Sequence, residues 1–147
     1  MNGIVDAIRS FEGLLSLGAV SADDIRSAET ELSVSFAPEY KEYTTAYGAV
    51  SFNGKEFTGA VQPLHLSVVA ATRSARSITP AAGPEWYVVM DPHIDGIIIW
   101  QDPEGTIYQT EPGKDPVKVA ENLESYMKMG DSDEHSGISG EDKAEAE

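Results

Sequence analysis

The chain has no cysteine among its 147 residues, so it can build neither a disulfide scaffold nor a thiolate metal site. That fits a reducing compartment. Cations are scarce as well: ten Lys and Arg stand against 25 Asp and Glu, for a formal net charge of −15 at pH 7. Nucleic acid is held by cationic side chains facing phosphates, so direct nucleic-acid binding is set aside. No apolar run approaches the roughly 20 residues that span a bilayer. The start MNGIVDAIRSFEGLL carries Asp6 and Glu12 and has no basic stretch followed by an apolar core, as a signal peptide would. These features read as a soluble cytoplasmic protein. A Walker loop, a Gly-x-Gly-x-x-Gly turn and a Gly-x-Ser-x-Gly elbow are also absent.

An acidic surface favours cationic partners and speeds their encounter, although solubility alone also accounts for many acidic proteins. The charge is unevenly spread. Residues 130–147 hold seven carboxylates against Lys143, a net of −6, which leaves −9 for residues 1–129. Gly, Ser, Asp and Glu dominate after Gly130 and the apolar pattern stops, which predicts an acidic disordered tail. The remainder, 1–129, is long enough for one core and is read as a single domain.

The stretch Trp86–Thr110 organises that domain. It holds three β-type runs, Tyr87–Met90, Ile97–Gln101 and Thr106–Gln109. Asp95-Gly96 ends the first connecting loop, and Asp102-Pro103-Glu104-Gly105 forms the second, both with turn chemistry. An antiparallel meander is the simplest arrangement. Ahead of it, Ile4, Ile8, Phe11, Leu14 and Leu15 recur at helical spacing, and Gly18 is the expected stop. Ser21 opens a second helix with Ile25, Ala28 and Leu32 on one face. Pro38 opens a third, whose Tyr40, Tyr43 and Tyr47 form a stripe read as core packing and which Gly48 ends. Asn53-Gly54 marks a hairpin between Ala49–Phe52 and Glu56–Thr58. Ser67–Ser77 reads as a helix, and a last amphipathic helix carries Val119, Ala120, Leu123, Tyr126 and Met127. The fold class is therefore α+β: an antiparallel or mixed twisted sheet with a central meander, packed by N-terminal, middle and C-terminal helices.

The titratable residues form no catalytic constellation. His65, His93 and His135 lie far apart, without metal-type spacing. Asp91, Asp95 and Asp102 are close in sequence and are expected to crowd one end of the meander. DPHIDG lacks the alternating oxygen ligands and distal glutamate of a calcium loop, and turn formation explains all three aspartates. No catalytic residue, metal site or cofactor is assigned.

A series of motifs runs along the chain, beginning with Ile25-x-x-Ala28-Glu29-x-x-Leu32 and then Phe36-Ala37-Pro38-x-Tyr40-x-x-Tyr43-x-x-x-Tyr47-Gly48. Gly59, Tyr87-Val88-Val89, Asp95-Gly96, Asp102-x-x-Gly105-x-Ile107-Tyr108 and Ala120-x-x-Leu123-x-x-Tyr126 follow. In their order and spacing these motifs resemble the SUKH superfamily, which unites Smi/Knr-type regulators of cell-wall assembly with bacterial toxin-immunity proteins. The likeness covers roughly residues 4–129. Phe36-Ala37-Pro38 replaces the commoner Leu-Pro, and Ser33 stands in place of a Gly.

The resemblance implies a non-enzymatic protein. In its bacterial form it would be an immunity protein that neutralises a polymorphic or contact-dependent toxin in the cytoplasm. Many such toxins are basic nucleases, which an acidic inhibitor suits. The alternative on the same fold is a regulatory scaffold for an endogenous protein or small ligand. A hydrolase would need His65 or His93 to meet a carboxylate and a nucleophile. The expected contact surface is the sheet face or rim that helices leave uncovered. Trp86 and Trp100 are its aromatic anchors where they are not core, and Asp91, Asp95, Asp102 and Glu104 are its charged contacts. The sequence leaves the oligomeric state open.

Overall fold

Three helix starts follow from local chemistry. Ser21 Oγ accepts the Asp24 amide at 3.1 Å and begins α2, Ala22–Leu32. Pro38 occupies the first turn of α3, Pro38–Tyr47, where its missing N–H costs nothing. Ser67 Oγ accepts the Ala70 amide at 3.2 Å and begins α4, Val68–Ile78, directly after a 3₁₀ turn at Leu64–Leu66. A computed structural model describes residues 3–136, so these helices can be set among the remaining elements. They are α1 (Gly3–Arg9), β1 (Leu15–Ser16), β2 (Val50–Phe52), β3 (Lys55–Phe57), β4 (Tyr87–Met90), β5 (Ile98–Gln101), β6 (Ile107–Thr110), β7 (Val117–Ala120) and α5 (Leu123–Ser136). The final helix thus runs seven residues into the acidic stretch, and 137–147, where the rest of the expected tail falls, lie outside the described residues. No helix among the described residues is long and apolar enough to cross a membrane.

The strands form two antiparallel sheets, β1-β2-β3 and β4-β5-β6-β7. Asn53 and Gly54, at φ 52° and 77°, make the tight turn between β2 and β3 with both central residues left-handed. The sheets are joined where the Thr58 amide donates to Val89 O at 2.9 Å. Thr58 Oγ1 also donates to Val88 O at 2.8 Å, and the Val88 amide donates to Thr72 Oγ1 at 2.9 Å. These contacts close the outer edge of β4 against strand pairing.

The tyrosine stripe of α3 fastens the fold. Tyr40 and Tyr43 are fully buried. Tyr40 OH pairs with Thr58 Oγ1 at 2.8 Å. Tyr43 OH donates to Thr58 O at 2.6 Å and accepts the Val50 amide at 3.2 Å, so one phenol holds both strands of the hairpin. Tyr47 OH reaches α1 at Val5 O, 3.0 Å away. Burial raises the pKa of Tyr40, Tyr43 and Tyr87 above 10.0. Around these phenols lies the main core, which includes Ile4, Ile8, Phe36, Phe52, Ile99 and Leu123.

Two expectations need correction. The first helix ends at Arg9 rather than running to Gly18. Gly13 turns left-handed at φ 71°, and Leu15–Ser16 then pairs with β2, Leu15 opposite Ser51. Ile4, Ile8 and Phe11 are core, but Leu15 is 70% exposed. The last helix begins at Leu123, and Val119 and Ala120 belong to β7. Val117-Lys118-Val119 alternates as a strand does, and Asn122 Oδ1 accepts the Ser125 amide at 2.8 Å, which sets the helix start there.

Candidate partner-binding face

The four-stranded sheet has two unlike faces. Tyr87, Val89, Ile99 and Ile107 point into the main core. Val88, Ile98 and Trp100 point the other way, beneath Ala71 and Ala75 of α4. Cross-strand pairing continues this second face outward, from Trp100 to Tyr108 on β6 and from Tyr108 to Lys118 on β7. Tyr108 is half-buried and Lys118 exposed, so this outer part of the face is open to solvent.

Trp86 turns back over that open part. Its ring stacks on Tyr108 with centroids 4.1 Å apart and planes at 8°. It also meets Trp100, at 6.2 Å. Gly83 lies so close over the Trp86 indole that an added methyl would stand 2.7 Å from Nε1, so the loop before β4 holds the ring in place. A fixed two-ring plate with one edge in water is the kind of surface that anchors a protein contact. Trp100 is different. It is fully buried, its Nε1 donates to Thr110 Oγ1 at 2.9 Å, and it supports the plate from beneath without reaching a partner.

A carboxylate edges the plate. Tyr108 OH donates to Asp102 Oδ2 at 3.3 Å. Asp102 Oδ1 accepts the amides of Glu104 and Thr106 at 2.9 and 3.0 Å, which shapes the β5–β6 turn and fixes the carboxylate. Partial burial, the Asp102 charge and its hydrogen bond raise the Tyr108 pKa. Glu104 is exposed at the turn tip and Glu85 is exposed beside Trp86. A shallow cleft lined by Glu29, Val34, Glu85 and Pro103 extends this acidic rim toward α2. Lys118 Nζ is engaged by Glu121 at 2.8 Å, and that hydrogen bond raises the Lys118 pKa.

The expected acidic cluster is split. Asp102 follows β5, whereas Asp91 and Asp95 lie in the loop before it. Four residues of strand put the two turns roughly 13 Å apart at opposite ends of the meander. Asp91 Oδ1 accepts the His93 amide at 2.8 Å, and His93 and Asp95 take left-handed φ values of 58° and 54°, so turn formation uses these residues. His93 is solvent-exposed, its Nδ1 3.6 Å from Asp91 Oδ1. Ser51 and His93 line one open cleft between the β2–β3 hairpin and the loop after β4, but no hydrogen bond between them is found among the described residues. Trp86, Asp102 and Glu104 therefore come together, and Asp91 and Asp95 do not join them. Sequence reasoning missed Tyr108 and Glu85. The alternation Ile107-Tyr108 places Tyr108 on the face opposite the core, which was a usable signal; the stack with Trp86 has none.

Residues 1–129 match a family model described as SMI1-KNR4 cell-wall, SUKH_5, and the chain belongs to that family. No curated protein matches it.

Proposed function

We propose that this member of the SMI1-KNR4 family is an immunity protein, which binds a cognate bacterial toxin domain in the cytoplasm and blocks it without chemistry of its own. The observation that carries this reading is the Trp86–Tyr108 plate edged by Asp102, Glu104 and Glu85. A rigid aromatic surface bounded by carboxylates suits a basic partner: a cationic side chain stacks on the rings while its charge meets the rim. Nuclease toxins present such basic surfaces to phosphates, and an inhibitor of net charge −9 over residues 1–129 competes for them directly. The test is whether the gene beside this one encodes a large protein with a toxic C-terminal domain, and whether that domain co-purifies with this chain and loses its toxicity. Trp86→Ala should abolish both effects. Protection that survives Trp86→Ala and the double variant Glu85→Lys/Glu104→Lys would overturn the assignment of the face.

The cell-wall wording of the family description supports a second reading, a non-enzymatic regulatory scaffold with an endogenous partner. A gene neighbourhood without a toxin would favour it.

A further inference from the structure

We propose that a second copy of this chain pairs with the first along β1, the outer strand of the three-stranded sheet. The Leu17 amide donates to Ala49 O at 3.0 Å. Leu15 and Leu17 therefore turn their backbone groups toward β2, and strand alternation turns the N–H and C=O of Ser16 outward. The side chains of Leu15 and Leu17 share one face and are 70% and 50% exposed. Glycines bracket the strand, and a methyl added to Gly13 or Gly18 would meet nothing within 4 Å, so the approach is clear. Neither lysine nor proline blunts this edge.

Two observations identify the occupant. Leu15-Ser16-Leu17 reads the same in both directions. Antiparallel pairing about Ser16 would set the two Ser16 residues opposite each other, exchanging N–H···O bonds. Each Leu15 would then lie across from the other copy's Leu17 under a two-fold axis. The charge distribution agrees. Residues 13–20, GLLSLGAV, carry no charge in a chain of −15. A cationic partner gains little from a neutral strand, whereas two strongly acidic chains can approach each other only where charge is missing. Leu64 and Ile78 are as exposed, but they sit in a 3₁₀ turn and at a helix end, with no strand edge beside them.

A two-residue strand and its flanks bury less than the ~1,000 Å² typical of stable interfaces, so the dimer is weak and concentration-dependent. It also strengthens with salt, because screening relieves the repulsion between the two bodies. Sedimentation velocity of the full chain over a concentration series, at low and high salt, tests this. The sedimentation coefficient should rise with concentration, more steeply at high salt, and exchange of the Ser16 amide should slow in parallel. The neutral double variant Leu15→Ser/Leu17→Ser should remain monomeric throughout, with an unchanged Tm and unchanged toxin capture. A wild type that stays monomeric at high salt, a dimer that salt dissociates, or a double variant that still associates would each overturn the proposal.

Discussion

The carboxylate of Glu39 caps a helix that begins 84 residues later: Oε1 accepts the Leu123 amide at 2.8 Å and Oε2 accepts that of Glu124 at 2.8 Å. Oε1 also accepts Gln101 Nε2 at 2.9 Å. Gln101 Oε1 in turn accepts Tyr87 OH at 2.8 Å, and Tyr87 OH accepts the Ala37 amide at 2.9 Å. One polar chain thus joins the starts of α3 and α5 through β4 and β5. Glu39→Ala strands three donors at once and should cost about 2–4 kcal/mol, beyond a simple cap, because part-buried donors lose their acceptor. Urea unfolding checks this: the midpoint should fall while the m-value holds. Glu39→Gln keeps one acceptor oxygen and should lose about half as much.

Ser33 ends α2 in the left-handed conformation, φ 58°, with its amide bonded back to Glu29 O and Thr30 O. A side chain there costs about 1 kcal/mol relative to glycine, so Ser33→Gly should stabilise the fold and raise Tm by roughly 3 °C. An unchanged or lower Tm would contradict this.

A methyl at Gly59 would drive into the Gly48 carbonyl, and it would stand 3.0 Å from Thr44 Oγ1. The obstacle is backbone, which cannot swing aside. Gly59→Ala should therefore cost about 1–3 kcal/mol by overpacking, read as a lower thermal midpoint.

The buried phenols set an alkaline limit. Tyr40, Tyr43 and Tyr87 are held above 10.0 chiefly by burial. Unfolded, each would ionise near 10, so above that pH the unfolded chain binds fewer protons than the native one. Their contribution is fully present below about pH 9 and is lost progressively as pH rises past 10. Urea midpoints across this range should fall, and the phenolate absorbance of these three tyrosines should appear with unfolding. Phenolate signal from all six tyrosines before unfolding would contradict the burial.

Local signals were readable in the sequence and distant ones were not. Ser21, Pro38, Ser67 and Asn53-Gly54 act on neighbours within three residues, and their elements lie where the spacing put them. Val117–Ala120 misled because Ala120, Leu123 and Met127 keep helical spacing across the boundary. The alternating Val117-Lys118-Val119 and the cap at Asn122 were the stronger signals. Leu15 misled in the same way, because its hydrophobicity fits a helix face while β2 needed a partner strand. The cap from Glu39 spans 84 residues, and no window reveals it. For the candidate face, the sequence marks Trp86, Asp102 and Glu104 as aromatic and turn residues. Their separation from Asp91 and Asp95 depends on which end of β5 each loop occupies.

If the proposed function holds, the most direct test is stopped-flow association with a purified toxin domain that this chain neutralises, measured over a range of ionic strength. Binding should be fast and slow as salt rises, with about tenfold slower association for Glu85→Lys/Glu104→Lys and faster dissociation for Trp86→Ala. Association indifferent to salt and to all three substitutions would contradict the acidic–aromatic face as the site of toxin capture.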